Sequence, residues 1–254
     1  MKLIIGGALG RMGRELAKAA AEAGVEVVCG VDVAYRGQTM DFPMVTDYRQ
    51  VKQAADVLID FSNANALTNL LAFAVNVGMP LVLCTTGYTE EEITAIAEAA
   101  KLIPILRSAN MSLGINVMQQ LVAMAARVLG DGYDVEIIEK HHRQKLDSPS
   151  GTALMLYDAV KATRTNEPTA VYGRCGRSAK RAGNEIGIHA VRGGTVTGEH
   201  EVGFYGNAEE LLITHRSESR ALLAEGALRA ARYLVGKAAG QYTMRDVVAE
   251  MLAK

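Results

Sequence analysis

Over its first hundred residues the chain alternates short β-branched apolar runs with longer segments whose apolar positions recur every three to four residues. The short runs, at residues 2–6, 25–31, 56–61, 80–85 and 103–107, read as strands, and the alanine-rich segments 11–23, 64–77 and 90–101 read as helices covering a sheet. Strand and helix in alternation predict a parallel sheet with crossover helices. The rhythm changes after Ser112. One long helix, about residues 112–129, leads into the strand DVEIIEKH; EIGIHAVRGG, TVTGEHEVGFYG and EELLITHRS then follow as strand-like runs separated by glycine-bearing turns. These predict an open mixed sheet rather than further βαβ units. Residues 220–254 return to helix and are expected to pack back on the first domain.

Composition narrows the functional classes. The 254 residues are 49 % hydrophobic and 22 % charged, ordinary values for a soluble globular protein with a substantial core. Lys plus Arg (27) nearly cancels Asp plus Glu (28), so no global field draws in nucleic acid or an anionic membrane. Cys29, Cys84 and Cys175 are odd in number and far apart, with no zinc spacing, which predicts free thiols in a reducing compartment. The N-terminal apolar run is too short for a signal-peptide core and no uninterrupted apolar run reaches membrane length, so a cytoplasmic protein is expected.

The segment IIGGALGRMGRELAKAA places Gly7, Gly10 and Gly13 between the first strand and the first helix. Glycines there permit a tight turn, close approach of a pyrophosphate and close packing of helix on sheet, while the helix start presents N–H groups to phosphate. Asp32 ends the second strand, where a carboxylate accepts hydrogen bonds from an adenosine ribose. It favours NADH by repelling a 2′-phosphate; Arg36 and Arg11 are the candidate cations for that phosphate, so NADPH is expected to be tolerated. The predicted class is α/β: an N-terminal Rossmann-type parallel-sheet domain (residues 1–111, with helices 221–254) plus a C-terminal α+β domain (residues 112–220) with an open mixed sheet.

EKHHRQKLDSPSGTAL, residues 139–154, concentrates the remaining chemistry. His141 and His142 end a strand, and since successive strand residues face opposite ways only one can point into a cleft. Adjacent histidines diverge and no further ligands accompany them, so no metal is expected. Ser148 reads as a helix N-cap with Pro149 at the first helical position, leaving Ser150, Gly151 and Thr152 to present first-turn amides to an anion beside Lys145. A proton carrier titrating near neutrality thus lies next to a carboxylate or phosphate site. That pairing suits hydride addition to a conjugated C=C–C=N system, with His141 protonating the far end.

With Glu139, His141, His142, Lys145, Asp147, Pro149, Ser150, Gly151, Thr152 and Ala153 in order, the segment resembles the E-x-H-H-x-x-K-x-D-x-P-S-G-T-A signature of the dihydrodipicolinate reductases. The resemblance runs through the chain: the GxxGRMG loop at Gly7, Gly10, Arg11, Met12 and Gly13, Thr85 to Gly87 after the fourth strand, and Ala109, Asn110, Ser112, Gly114 and Asn116 at the hinge. Cys84 stands where many members have glycine. The resemblance implies NAD(P)H-dependent reduction of a cyclic dicarboxylate, dihydrodipicolinate, to tetrahydrodipicolinate in lysine biosynthesis by a homotetramer. It implies His141 as general acid with Lys145 as its companion, and His142, Gly151 and Thr152 at the substrate carboxylates. Gly7, Arg11, Met12, Asp32, Thr85, Thr86 and Gly87, with Ala109, Asn110 and Met111, fall on the cofactor side.

Two rivals remain open at this point. A sugar or amino-acid oxidoreductase of the same two-domain type also places Lys or His after the fifth strand, without requiring the HHxxKxDxPSGT constellation. A nucleotide-sensing regulator shares the fold class, but a separate DNA-binding module with a basic face is not found in the sequence.

Overall fold

The computed structural model describes residues 1–253; Lys254, the last residue of the expected C-terminal helical segment, lies outside the described residues. The chain divides into two compact units, residues 1–113 with 220 onward, and residues 114–219. Strands and α-helices of the described residues are numbered in chain order, β1 to β12 and α1 to α7.

In the first unit β1 (Lys2–Gly6), β2 (Glu26–Val31), β3 (Met44–Val45), β4 (Val57–Asp60), β5 (Leu81–Leu83), β6 (Pro104–Arg107) and β12 (Gly240–Tyr242) form one sheet. Its order is β12-β6-β5-β4-β1-β2-β3 and every pairing is parallel. Helices cover both faces, so the central strands are continuously apolar: Leu3, Ile4, Ile5, Val57, Leu58 and Ile59 are wholly buried. Alternate residues serve opposite layers. Leu3 and Ile5 pack with Leu16 of α1 (Arg11–Glu22) and Leu228 of α6 (Ala221–Leu234). Ile4 packs with Leu70 of α2 (Leu67–Val77) and Ile96 of α3 (Glu90–Ala100). α7 (Met244–Leu252) buries Met244 and Val247 in the first of these layers. At Gly226 of α6 an added Cβ would sit 1.8 Å from the Met111 carbonyl oxygen, so only glycine lets the helix pass that segment.

Several boundaries differ from those expected. The expected helix 64–77 opens as a 3₁₀ turn, Ala64–Ala66, because the Asn63 side chain accepts the N–H of Asn65 at 3.0 Å and caps the segment locally. β3 and β12 were not foreseen: two and three residues are too short to show a period. The tail is therefore not helical throughout, since β12 adds an edge strand beside β6.

The second unit contains β7 (Asp134–His141), β8 (Thr169–Val171), β9 (Glu185–Arg192), β10 (Gly198–Tyr205) and β11 (Glu210–Ser217) in the order β11-β10-β7-β9-β8. β7 and β8 pair with β9 in parallel, while β10 runs antiparallel to β7 and β11, which makes the sheet mixed and open as expected. α4 (Leu113–Leu129) and α5 (Gly151–Lys161) cover one face, where Met118, Val122 and Leu156 meet Val135, Ile137, Val202 and Phe204. β8 was also missed, again for its length.

One segment bears on the expectation that no uninterrupted apolar run reaches membrane length. Residues 113–132 form a 20-residue helical span containing an 18-residue stretch of mean hydropathy 1.2, long and apolar enough by length and composition alone to cross a membrane. Polar Asn116, Gln119 and Gln120 interrupt it, and Ile115, Met118, Val122 and Ala126 are buried among the unit's core residues.

Candidate active site

β7 alternates strictly along its length, with Val135, Ile137, Glu139 and His141 buried on the helix-covered face. His141 is 9 % exposed, whereas His142 follows the strand end and is half-buried, so the two diverge as strand geometry requires. Register then assembles a site from distant sequence. Arg192 of β9 is the Cα partner of His141, and His200 of β10 is the partner of Glu139, which places all four on one face.

The contacts among them are short. Glu139 Oε2 lies 2.6 Å from His141 Nδ1, and the Arg192 guanidinium donates Nη1 to Oε2 at 2.7 Å and Nη2 to Oε1 at 2.6 Å. Ser150 N–H donates to Oε1 at 3.0 Å. Burial pulls the fully buried Glu139 carboxyl upward, but the hydrogen bonds from Arg192, His141 and Ser150 prevail and hold it below the usual carboxylate range. Burial holds His141 below its ordinary value despite Glu139, with Lys145 and Arg192 adding to the depression. His200, edge-on to His141 at 5.1 Å between ring centres, is pushed down to about 4 by burial and by the His141 charge.

The turn after β7 carries the cationic group. Lys145 Nζ lies 2.8 Å from Asp147 Oδ1, and the Asp147 carboxylate also takes the N–H of Gly151; together these hold Asp147 below its ordinary range. The expected cap is corrected here. Ser150, not Ser148, is the N-cap of α5: its backbone is extended and its Oγ accepts the N–H of Ala153 at 3.1 Å. Pro149 therefore precedes the cap instead of occupying the first helical position, and the Ser148–Pro149 peptide is cis. The helix starts later because Glu139 holds the Ser150 N–H outside it. Ser150 Oγ also lies 2.9 Å from His200 Nε2, in hydrogen-bond contact.

The glycine loop lies in the first unit. Gly7 has φ +71°, and an added Cβ would come within 2.8 Å of Phe61 backbone; at Gly13 it would meet the Gly7 carbonyl oxygen at 2.2 Å. α1 begins at Arg11 with Gly10 as a cap that makes no side-chain hydrogen bond, and a cleft of about 410 Å³ lined by Gly7, Gly10, Asp32, Tyr48 and Ser62 opens beside it. A backbone cradle with this much room beside a ribose-competent carboxylate fits a dinucleotide. Arg36 instead donates Nη1 to the carbonyls of Val33 and Tyr35, at 2.8 and 2.7 Å. Thr85 commits its hydroxyl to buried Asp60 at 2.8 Å, while Thr86 is exposed and Gly87 turns with φ +81°. Arg11 and Ala109 are exposed, Met12 and Asn110 half-buried, and Met111 buried.

Glu139 lies within the motif but its spacing declares no role, and Arg192, His200 and Asp60 fall outside any motif in the sequence. Arg192 and His200 lie in strand runs (AVRGG and TGEHE) whose spacing to His141 follows no local period.

Comparison with known proteins supplies the family. The family model "Dihydrodipicolinate reductase, N-terminus" matches residues 1–111 and "Dihydrodipicolinate reductase, C-terminus" matches residues 114–248. A 4-hydroxy-tetrahydrodipicolinate reductase of Caldanaerobacter subterraneus subsp. tengcongensis is 50 % identical over 249 residues, 98 % of each chain. One of Clostridium novyi is 42 % identical over 97 % of this chain and 98 % of its own. A dipicolinate-bound dihydrodipicolinate reductase from Paenisporosarcina sp. TG-14 superposes with TM-score 0.78 at 21 % identity, covering 96 % of this chain and 97 % of that one. A myo-inositol dehydrogenase from Corynebacterium glutamicum shares the fold at TM-score 0.59 and 16 % identity, over all of this chain and 94 % of its own, and at that distance fold alone is shared. Two family models that together span nearly the whole chain, and relatives of up to 50 % identity along its length, establish that this chain belongs to the dihydrodipicolinate reductase family.

Proposed function

We propose that this chain reduces dihydrodipicolinate, formed from 4-hydroxy-tetrahydrodipicolinate with loss of water, to tetrahydrodipicolinate in diaminopimelate and lysine biosynthesis, preferring NADH and accepting NADPH. The dinucleotide belongs to residues 1–111 with the helices of 221–254, held by the loop Gly7, Gly10, Arg11, Met12 and Gly13. Asp32, Arg36, Thr85, Thr86, Gly87, Ala109, Asn110 and Met111 complete that side. A reduced nicotinamide supplies the hydride when bound. Residues 112–220 hold the substrate and the oligomer interface. His141 delivers the proton, Lys145 assists it, and His142, Gly151 and Thr152 hold the carboxylates.

The observation that carries this reading is Asp147, a carboxylate resting on both Lys145 and the Gly151 N–H beside a buried histidine. It supports reading those two groups as a carboxylate site. His141, held below its ordinary value by burial, gains its proton more readily once a dianionic substrate lies alongside, so binding and acid function reinforce each other. We also place the protein in the cytoplasm as a homotetramer without nucleic-acid or membrane partners. The near-neutral charge balance and the open sheet, which leaves Leu211, Leu212 and Val191 exposed, support this.

The test follows absorbance of NADH, then NADPH, with purified protein and dihydrodipicolinate precursor freshly generated by its synthase from pyruvate and aspartate semialdehyde. Rapid substrate-dependent oxidation, faster with NADH, is expected. No oxidation with either cofactor, from folded protein shown to bind nucleotide, overturns the reading. In the same assay His141→Ala lowers kcat by about 10²-fold or more with little change in cofactor affinity; an unchanged kcat removes His141 from the mechanism.

A further inference from the structure

We propose that Glu139, clamped by Arg192, is a positioning residue that keeps a proton on His141 Nδ1 and leaves Nε2 as the only ring atom that exchanges protons with substrate. The inference rests on His141 being the acid, and it adds which nitrogen acts and what enforces the choice.

An ionised carboxylate offers about four lone-pair sites, and at Glu139 three fixed donors are in place, Ser150 N–H and Nη1 and Nη2 of Arg192, with His141 Nδ1 at the fourth. The bidentate guanidinium and the Ser150 N–H favour the charged form and hold the carboxyl below its usual range. With no exposed surface, Glu139 has no water to substitute for any of them. The carboxylate is therefore ionised and accepts only, so the hydrogen on the 2.6 Å contact belongs to His141 Nδ1 in both charge states of the ring. Nε2, on the opposite edge, is the atom left to titrate, and it faces the backbone of Gly198, where an added Cβ would stand 3.2 Å from it.

Arg192 makes this arrangement differ from a simple carboxylate–histidine pair. A lone buried carboxylate at 2.6 Å would stabilise the imidazolium and weaken the acid. The bidentate guanidinium offsets that charge while leaving the acceptor lone pair in place, so Glu139 orients the ring without holding its second proton. Lys145 also acts on the ring and opposes its protonation, while His200, pushed down to about 4, stays neutral at higher pH. The same carboxylate takes the Ser150 N–H at the cap of α5, which ties the orientation of the acid to the helix start where substrate carboxylates are proposed to bind.

The experiment combines ¹⁵N NMR of histidine-labelled protein with kinetics of Glu139→Gln and Arg192→Lys. In wild type at high pH the His141 signal, assigned by its loss in His141→Ala, is expected to show the Nδ1–H tautomer. Glu139→Gln, whose amide can also donate, shifts that population toward Nε2–H and lowers kcat by about 10²-fold with KM little changed. Arg192→Lys keeps the charge but loses the fork, and moves the pH dependence of kcat upward. If Glu139→Gln fails to fold, the wild-type tautomer and Arg192→Lys decide. An Nε2–H tautomer in wild type, or a folded Glu139→Gln with unchanged kcat, overturns the inference while leaving His141 as acid. Loss of the acid reading itself is seen separately, as unchanged kcat in His141→Ala.

Discussion

Asp32 clasps the loop that precedes it by 23 residues: its Oδ2 accepts the N–H of Leu9 at 2.9 Å, while Oδ1 accepts the N–H of Ala34 at 2.9 Å. The carboxylate therefore both shapes the glycine loop and presents charge at its rim. Asp32→Ala is expected to shift preference from NADH toward NADPH, weaken NADH binding about tenfold, and lower stability by about 1 kcal/mol through the two released N–H groups. Titration with each cofactor and a urea melt measure these effects. An unchanged cofactor ratio assigns selection to another residue.

Lys145 lies against Asp147 Oδ1 at 2.8 Å, so its ammonium is poised on a carboxylate. Lys145→Ala should lower kcat/KM for the dicarboxylate by 10- to 100-fold, on the order of 1.5–3 kcal/mol for a charge-assisted contact. NADH affinity, read by fluorescence titration, should stay the same. Equal losses on both ligands would show a general collapse of the site instead.

The depressed His141 value predicts the shape of the pH profile. An acid must be protonated to act, so rate falls as pH rises through its pKa. In kcat/KM, which reports the free enzyme, the falling limb should lie below the ordinary histidine value of about 6.5. In kcat, with a dianion bound beside the ring, the limb should lie at higher pH. Limbs that coincide would show that substrate charge does not act on His141.

His200 makes the native state acid-labile. Its folded value of about 4 is below the ordinary 6.5, so as pH falls through 6.5 the unfolded chain takes up a proton that the native state refuses, and stability is lost until about pH 4. Between pH 7 and 5 this amounts to about 2 kcal/mol. Urea unfolding at fixed protein concentration should show His200→Gln losing about that much less than wild type over the same interval. Equal losses would remove His200 as a source of acid lability.

The alternation of apolar runs with helical periods, the glycine loop and the HHxxKxDxPSGT segment were legible because each is local: a strand repeats every two residues, a helix every 3.6, and a motif declares its chemistry within a dozen positions. That is why the class of sheet in each unit, and family membership, followed from the residues. The start of α5 was misplaced by two residues because a capping serine is chosen by its contacts, and Ser148 and Ser150 look alike in sequence. β3, β8 and β12 have two or three residues each, held by neighbouring strands rather than by a pattern of their own.

The sequence by itself determined which chemical groups are available and which strand delivers His141. Only the tertiary structure decided what surrounds that histidine. Glu139 is two residues away, but Arg192 and His200 are 53 and 61 residues beyond Glu139, brought to one face by the registers of β7 with β9 and β10. Pairing registers are set by the summed burial of whole strands, so no local spacing encodes them. The tautomer, charge and orientation of the proposed acid depend on exactly those long-range neighbours, which is why they became visible only in the folded chain.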